Sequence, residues 1–166
     1  HRYNLKALYS VAAVGIVPLG KVGNIGLTVF RFGDKLYNEQ RLSLAFANKI
    51  GFVRLGGQIH YLQVNIESLG REGLLLFDFG GIVELIPTLA FGARIFNATA
   101  SGFHEFEQEN FPVILSAGLT YRPTNQIIIN ADLEKMTNRQ VNFKCGIEYL
   151  LYEKISFRGG FNMHPS

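Results

Sequence analysis

Across residues 113–161 the chain alternates in polarity with a period of two, and that alternation confines it to extended structure. One set of positions reads Val113, Leu115, Ala117, Leu119 and Tyr121, then Ile127, Ile129, Ala131 and Leu133. It continues through Val141, Phe143, Cys145, Ile147, Tyr149 and Leu151, and ends with Ile155, Phe157, Gly159 and Phe161. The intervening set carries Ser116, Thr120, Arg122, Asn130, Asp132, Glu134, Asn142, Lys144, Glu148, Ser156 and Arg158, with glycine at 118, 146 and 160. Successive side chains of a strand point to opposite faces, so these segments read as four strands, each with one apolar and one polar face. An amphipathic helix would require a period of 3.6.

Two folds accommodate such strands: a soluble barrel or sandwich with an apolar core, or a membrane barrel with its apolar set toward lipid and its polar set toward the lumen. The mixture of both charge signs with many small residues on the polar face favours the second. So does the absence of charge from the apolar set through these four strands, since a lipid-facing charge at mid-membrane costs about 2–4 kcal/mol.

The earlier chain continues the rhythm. Strands are expected over 5–17 and 25–32, then around Leu42, Leu44 and Phe46, from Val53, around Leu75, Phe77 and Phe79, and around Leu89, Phe91, Ala93 and Ile95. The strand from Val53 sets Arg54, Gly56, Gln58 and His60 on its polar face, then shifts phase near Leu62, Val64 and Ile66, which predicts a bulge or bend. The total is about ten strands. The connections 48–51, 86–88, 123–125 and 153–154 read as tight turns, whereas 33–39, 67–73, 98–110 and 135–140 read as longer loops. This alternation collects the short turns at one end of an up-and-down meander, as in transmembrane barrels; a Greek-key sandwich has no reason to show it. The expected fold is therefore all-β, an antiparallel up-and-down transmembrane β-barrel.

Composition agrees with that class. The chain of 166 residues is 48% hydrophobic and 17% charged, yet contains no apolar run long enough for a membrane helix. Tryptophan is absent, so Tyr and Phe must supply any interfacial girdle. A net charge of +3 without a basic run gives no sign of nucleic-acid binding. The lone cysteine, Cys145, falls on the apolar face and reads as a small hydrophobe. The polar start at His1 resembles no signal peptide, so the sequence is expected to begin after processing or after a missing N-terminal portion.

Four short stretches also bear a family resemblance: Tyr121-Arg122-Pro123, Asp132-Leu133-Glu134-Lys135, Gly146-Ile147-Glu148-Tyr149 and Phe157-Arg158-Gly159-Gly160-Phe161. Together they resemble the C-terminal half of the PorV/PorQ-like outer-membrane proteins of Bacteroidota, which are themselves similar to FadL-type barrels. The resemblance covers about residues 113–161; the preceding strands share only the rhythm. It implies an integral outer-membrane barrel that acts as a noncatalytic accessory subunit of an envelope secretion or assembly machine, of the type IX kind, with the bilayer and other envelope proteins as partners. The alternative it implies is a FadL-like channel for hydrophobic small molecules. A soluble lipocalin-like binder is a third reading. FadL-like barrels have more strands, an N-terminal segment in the lumen and a terminal aromatic strand that is missing here, so residues 1–166 are expected to be one domain forming a portion of a larger barrel.

The candidate functional residues lie on the polar face. Arg94, Arg122, Asp132, Glu134, Lys144, Glu148 and Arg158 form a candidate lumen charge network, in which hairpin geometry puts Glu148 beside Arg158 and Lys144 beside Asp132 or Glu134. Arg54 and His60 share that face. In the 98–110 loop and beside it, Phe103, Phe106 and Phe111 are a candidate outside contact for a partner. His104, Glu105, Glu107 and Glu109 lack the spacing of a calcium loop. No cofactor, metal site or catalytic signature is expected, and His60 and His104 have no partners at a recognisable spacing.

Overall fold

A computed structural model of the chain describes residues 9–68, 70–102, 111–152 and 155–163. They form ten strands: β1 (Tyr9–Pro18), β2 (Asn24–Gly33), β3 (Tyr37–Ile50), β4 (Val53–Ile66), β5 (Gly70–Ile86), β6 (Leu89–Phe96), β7 (Ile114–Thr124), β8 (Ile127–Met136), β9 (Asn142–Leu151) and β10 (Ile155–Met163). A single 3-10 turn, Gly20–Val22, follows β1. All ten strands join one antiparallel sheet whose spatial order is the sequence order, and β1 and β10 are its edges, so the sheet is not closed. Among the described residues no helix is long and apolar enough to cross a membrane, which says nothing about crossing by strands.

The chain divides into two compact units. The first comprises His1–Asn48, Gly56–Asp78 and Asn97–Phe111; the second comprises Lys49–Leu55, Phe79–Phe96 and Pro112–Ser166.

In the first unit the alternation of polarity becomes an alternation of exposure, in the opposite sense to a soluble sheet. Leu42, Leu44 and Phe46 of β3 are 49%, 54% and 45% exposed, whereas Ser43 between them is 2% exposed. In β4, Ile59 and Tyr61 are exposed while His60 is buried; in β5, Leu75 and Phe77 are exposed while Asp78 is buried. The register of β2 on β3 continues this face, pairing Thr28 with Ser43 and Phe30 with Arg41.

The expected phase change in β4 does not occur. His60, Leu62 and Val64 are all buried and the odd-numbered residues between them are not, so the strand keeps one face throughout. What changes is the chemistry of that face, from Arg54, Gln58 and His60 to Leu62 and Val64. Together with Leu74 and Leu76 of β5, the last two are the large apolar side chains buried among the described residues. Period alone cannot separate a slipped strand from a face that turns apolar part-way along.

In the second unit, Leu115, Leu133, Ile147 and Phe157 are each at least half exposed, and the intervening Ser116, Thr120, Asn130, Lys144 and Glu148 are half-buried. The register runs unbroken across β8 and β9, from Ile127 opposite Tyr149 to Glu134 opposite Asn142.

The strands outrun their sequence signal, so two loops expected to be long are short. The β2–β3 connection is residues 34–36, because β3 begins at Tyr37, and the β4–β5 connection is residues 67–69. The 97–113 connection remains long, and turns of two residues join β3 to β4, β5 to β6 and β7 to β8. The difference between the two ends of the meander thus rests chiefly on the connections after β6 and β8.

The β2–β3 turn is built by its sequence. Asp34 Oδ1 accepts from the amides of Leu36 at 2.8 Å and Tyr37 at 3.0 Å, a side-chain mimic of a backbone turn. Gly33 before it has φ of 117°, and a Cβ there would run into the Tyr37 backbone. Gly15, in mid-β1, has open space around it. Gly33→Ala is therefore expected to cost roughly 2 kcal/mol and Gly15→Ala close to nothing, read as the shift in urea midpoint by far-ultraviolet circular dichroism.

Candidate functional site

Three consecutive strands of the first unit each supply one polar side chain to a buried row. Ser43 and His60 each stand eight residues from the turn residues Gly51 and Phe52, so the β3–β4 hairpin brings them together. The Ser43 Oγ to His60 Nδ1 distance is 2.7 Å. On the other side of the ring, His60 Nε2 lies 3.2 Å from Asp78 Oδ2. With the Ser43 hydroxyl donating to Nδ1, the ring proton sits on Nε2 and faces the carboxylate at ion-pair distance.

Asn97, at the end of β6, completes the row. Its amide donates to Asp78 Oδ1 at 3.2 Å. Its Nδ2 donates to the carbonyls of Ser101 and Phe111, both at 2.9 Å, and its Oδ1 accepts from the Ser101 amide at 2.9 Å. Asn97 is fully buried and has φ of 53°, a left-handed conformation that asparagine adopts more readily than most residues. One side chain therefore ties both ends of the long connection to the polar face of the sheet.

Ser43, His60 and Asp78 stand in the order of a hydrolytic triad, which corrects the expectation that His60 lacks partners. With Ser43 2% exposed, no substrate carbonyl reaches its oxygen in this conformation. The row is a buried polar seam in which Ser43 is hydrogen-bonded to His60 and Asp78 to the Asn97 amide, and its residues are individually ordinary polar-face positions. The signal that would have exposed it was the length of the intervening turns, which the sequence alone left open.

The charge network falls in the second unit and is partly assembled. Arg158 faces Glu148 in the β9–β10 register and meets it through two contacts, Nε to Oε2 at 2.9 Å and Nη2 to Oε1 at 3.0 Å. Lys144 is the register partner of Asp132, yet its ammonium pairs with Glu134 at 3.1 Å. Asp132 leans instead over β7, where its carboxylate occupies the space that a side chain at Gly118 would need. Beside it, Thr120 Oγ1 donates to Asn130 Oδ1 at 2.8 Å. Arg94 sets its guanidinium 5.6 Å from the Phe96 ring centre, and the Arg122 amide donates to the Thr88 carbonyl.

An ion pair not anticipated from sequence joins Arg54 of β4 to Glu84 of β5 at 2.7 Å. It was missed because β5 extends to Ile86, well past the six residues that carry its clearest alternation. The side chains of these pairs keep between 27% and 72% of their exposure, so solvent screens each pair and its contribution to stability is small.

Of the candidate partner contacts, Phe103 and Phe106 lie outside the described residues, as do His104, Glu105, Glu107 and Glu109. Phe111 is half-buried, with its carbonyl held by Asn97. Among the described residues no group of three acidic, histidine or cysteine side chains could hold a metal.

Removing one member of a buried polar pair leaves the other without its partner. Asp78→Ala is expected to lose about 3 kcal/mol, and Ser43→Ala about 1 kcal/mol, a neutral hydrogen bond. A double-mutant cycle between positions 60 and 78 should show coupling above about 1 kcal/mol; strictly additive losses would mean that the two groups do not interact.

No family model, curated protein or solved structure matches the chain, so the reading of its function rests on its own geometry and on its resemblance in sequence.

Proposed function

We propose that the chain forms part of the wall of a transmembrane β-barrel in a bacterial outer membrane, with its apolar face toward lipid. The observation that carries this reading is the inverted distribution of polarity: Ser43, His60, Asp78, Asn97 and Asn142 are buried, while Leu44, Phe79, Leu115, Ile147, Phe157 and many like them are exposed. In water the largest apolar patch on a typical monomer spans about 300–600 Å², whereas here an apolar face runs along strand after strand. Most strands reach the nine to eleven residues or so that a tilted strand needs to cross the hydrocarbon layer. The reading requires both edges of the sheet to be paired in the membrane, since unsatisfied backbone groups in lipid cost several kcal/mol each.

Within that wall the role we propose is that of a noncatalytic accessory subunit of an envelope secretion machine, of PorV/PorQ-like type. The ion pairs and the buried row support it, because the polar face is occupied by its own residues. The resemblance over residues 113–161 points the same way. A FadL-like channel is the second reading, and it draws on the apolar patch of the polar face, Leu62, Val64, Leu74 and Leu76. At 0–7% exposure that patch offers little surface to a ligand.

Purification of the full-length protein from its native membrane in mild detergent, followed by mass spectrometry, tests the role. Stoichiometric envelope subunits are the expected companions; an unaccompanied barrel carrying fatty acid would favour the channel. The membrane assignment has its own test. Leu44→Arg, on the exposed apolar face, is expected to cost about 2–4 kcal/mol of folding stability in lipid vesicles, and Ser156→Arg, on the polar face of β10, less than about 1 kcal/mol. Equal small costs at both positions would remove the bilayer from the account.

A further inference from the structure

The apolar face of the second unit is not uniformly covered. The registers of β5 on β6 and β6 on β7 align Gly81, Ala93 and Ala117 in a row across three strands. The rows on either side are bulky: Phe79, Ile95 and Leu115 on one, Val83, Phe91 and Leu119 on the other. Small residues between large ones make a trench, and a cavity of about 780 Å³ occupies it. That volume lies within the roughly 300–1,000 Å³ of small-molecule sites.

The two ends of the trench differ. At the Gly81 end the Leu55 side chain fills the space above the glycine, so that a Cβ there would collide with it. At the other end Ala117 pairs with Leu133, and in the adjacent row Leu115 pairs with Lys135. Two charged residues, Arg94 and Lys135, line the cavity; the register puts Arg94 in the polar-face row with Gly80 and Ser116, and Lys135 in the apolar-face row beside Leu115. The Lys135 ammonium donates to the Arg139 carbonyl, which engages one of its three N–H groups.

Width decides what fits. The flanking rows are four residues apart along each strand, roughly 13 Å between backbones, and their own side chains narrow the gap further. An α-helix with side chains is about 10–12 Å across and does not enter. A methylene chain does.

We propose that this trench holds an acyl chain of an anionic phospholipid, with Lys135 taking the charge of the head group. The proposal rests on the membrane reading given above, and it turns part of the lipid-facing wall from a passive surface into a selective one. The cation at one end chooses an anionic head, the small-residue floor admits the chain, and Leu55 closes the far end.

Native mass spectrometry of the full-length protein, reconstituted with equal phosphatidylglycerol and phosphatidylcholine of matched chains, tests it. The wild-type protein is expected to retain one phosphatidylglycerol in preference. Lys135→Gln should lower that preference about fivefold, and Ala93→Leu, which fills the trench with another apolar side chain, should reduce retention of both lipids. Undiminished retention by Ala93→Leu, or an unchanged preference in Lys135→Gln, would overturn the proposal. A photoreactive residue at position 117 that crosslinks to protein rather than lipid would also overturn it, by making the trench a subunit contact. Recovery of the protein without detergent would instead overturn the membrane reading itself; an inserted protein with no retained lipid removes only the trench.

Discussion

Backbone pairing between successive strands carries this structure, because little else is available to do so. In most domains of this size burial of large apolar side chains dominates the favourable free energy. Here the buried ones among the described residues are Leu62, Val64, Leu74 and Leu76, all in the first unit. The long registers, such as the ten consecutive pairs of β1 with β2, make up the difference. Each such hydrogen bond contributes only about 0.5–1.5 kcal/mol net in water. In hydrocarbon, where no solvent competes for the same groups, the ladder becomes compulsory. On the membrane reading proposed above, the exposed apolar side chains and the long registers are two answers to one environment.

The two units satisfy their polar faces by different means. In the first, Ser43, His60, Asp78 and Asn97 are buried and meet one another at hydrogen-bond or ion-pair distance, so the face is held by groups that cannot readily be exchanged for water. In the second, Arg54 with Glu84, Lys144 with Glu134 and Arg158 with Glu148 keep much of their solvent contact. A half-exposed pair loses little when broken, since water takes the place of the partner. A buried carboxylate beside a histidine has no such replacement. The two halves of the polar face therefore differ in how much sequence change they tolerate, even though both read as the same alternation of small and charged residues.

Much of this was legible in the sequence. Period-two alternation marks the strands after the first, in which Val11-Ala12-Ala13-Val14 blurs it, and the tight turn before β10 was enough to put Arg158 beside Glu148. Where the reading failed, it lacked knowledge of strand length. The β2–β3 and β4–β5 connections seemed long because polar residues at strand ends, such as Glu39 and Arg71, look the same in a loop as in a ladder. The same uncertainty hid the pairing of Arg54 with Glu84 and the alignment of Ser43, His60 and Asp78, each of which depends on a turn being two or three residues and not six. Lys144 illustrates a different limit. Its register partner is Asp132, but a flexible four-carbon stem lets the ammonium reach Glu134, and no register rule decides between neighbours two residues apart.

Asn97 gathers the two ends of the long connection after β6 into one set of hydrogen bonds, to Ser101 on the near side and Phe111 on the far side. The stem of the loop is thereby fixed independently of whatever the loop contains. Insertions, deletions and wholesale changes of composition between those two anchor points leave the pairing of β6 with β7 as it is. Such a segment is free to diversify while the sheet beneath it stays under constraint.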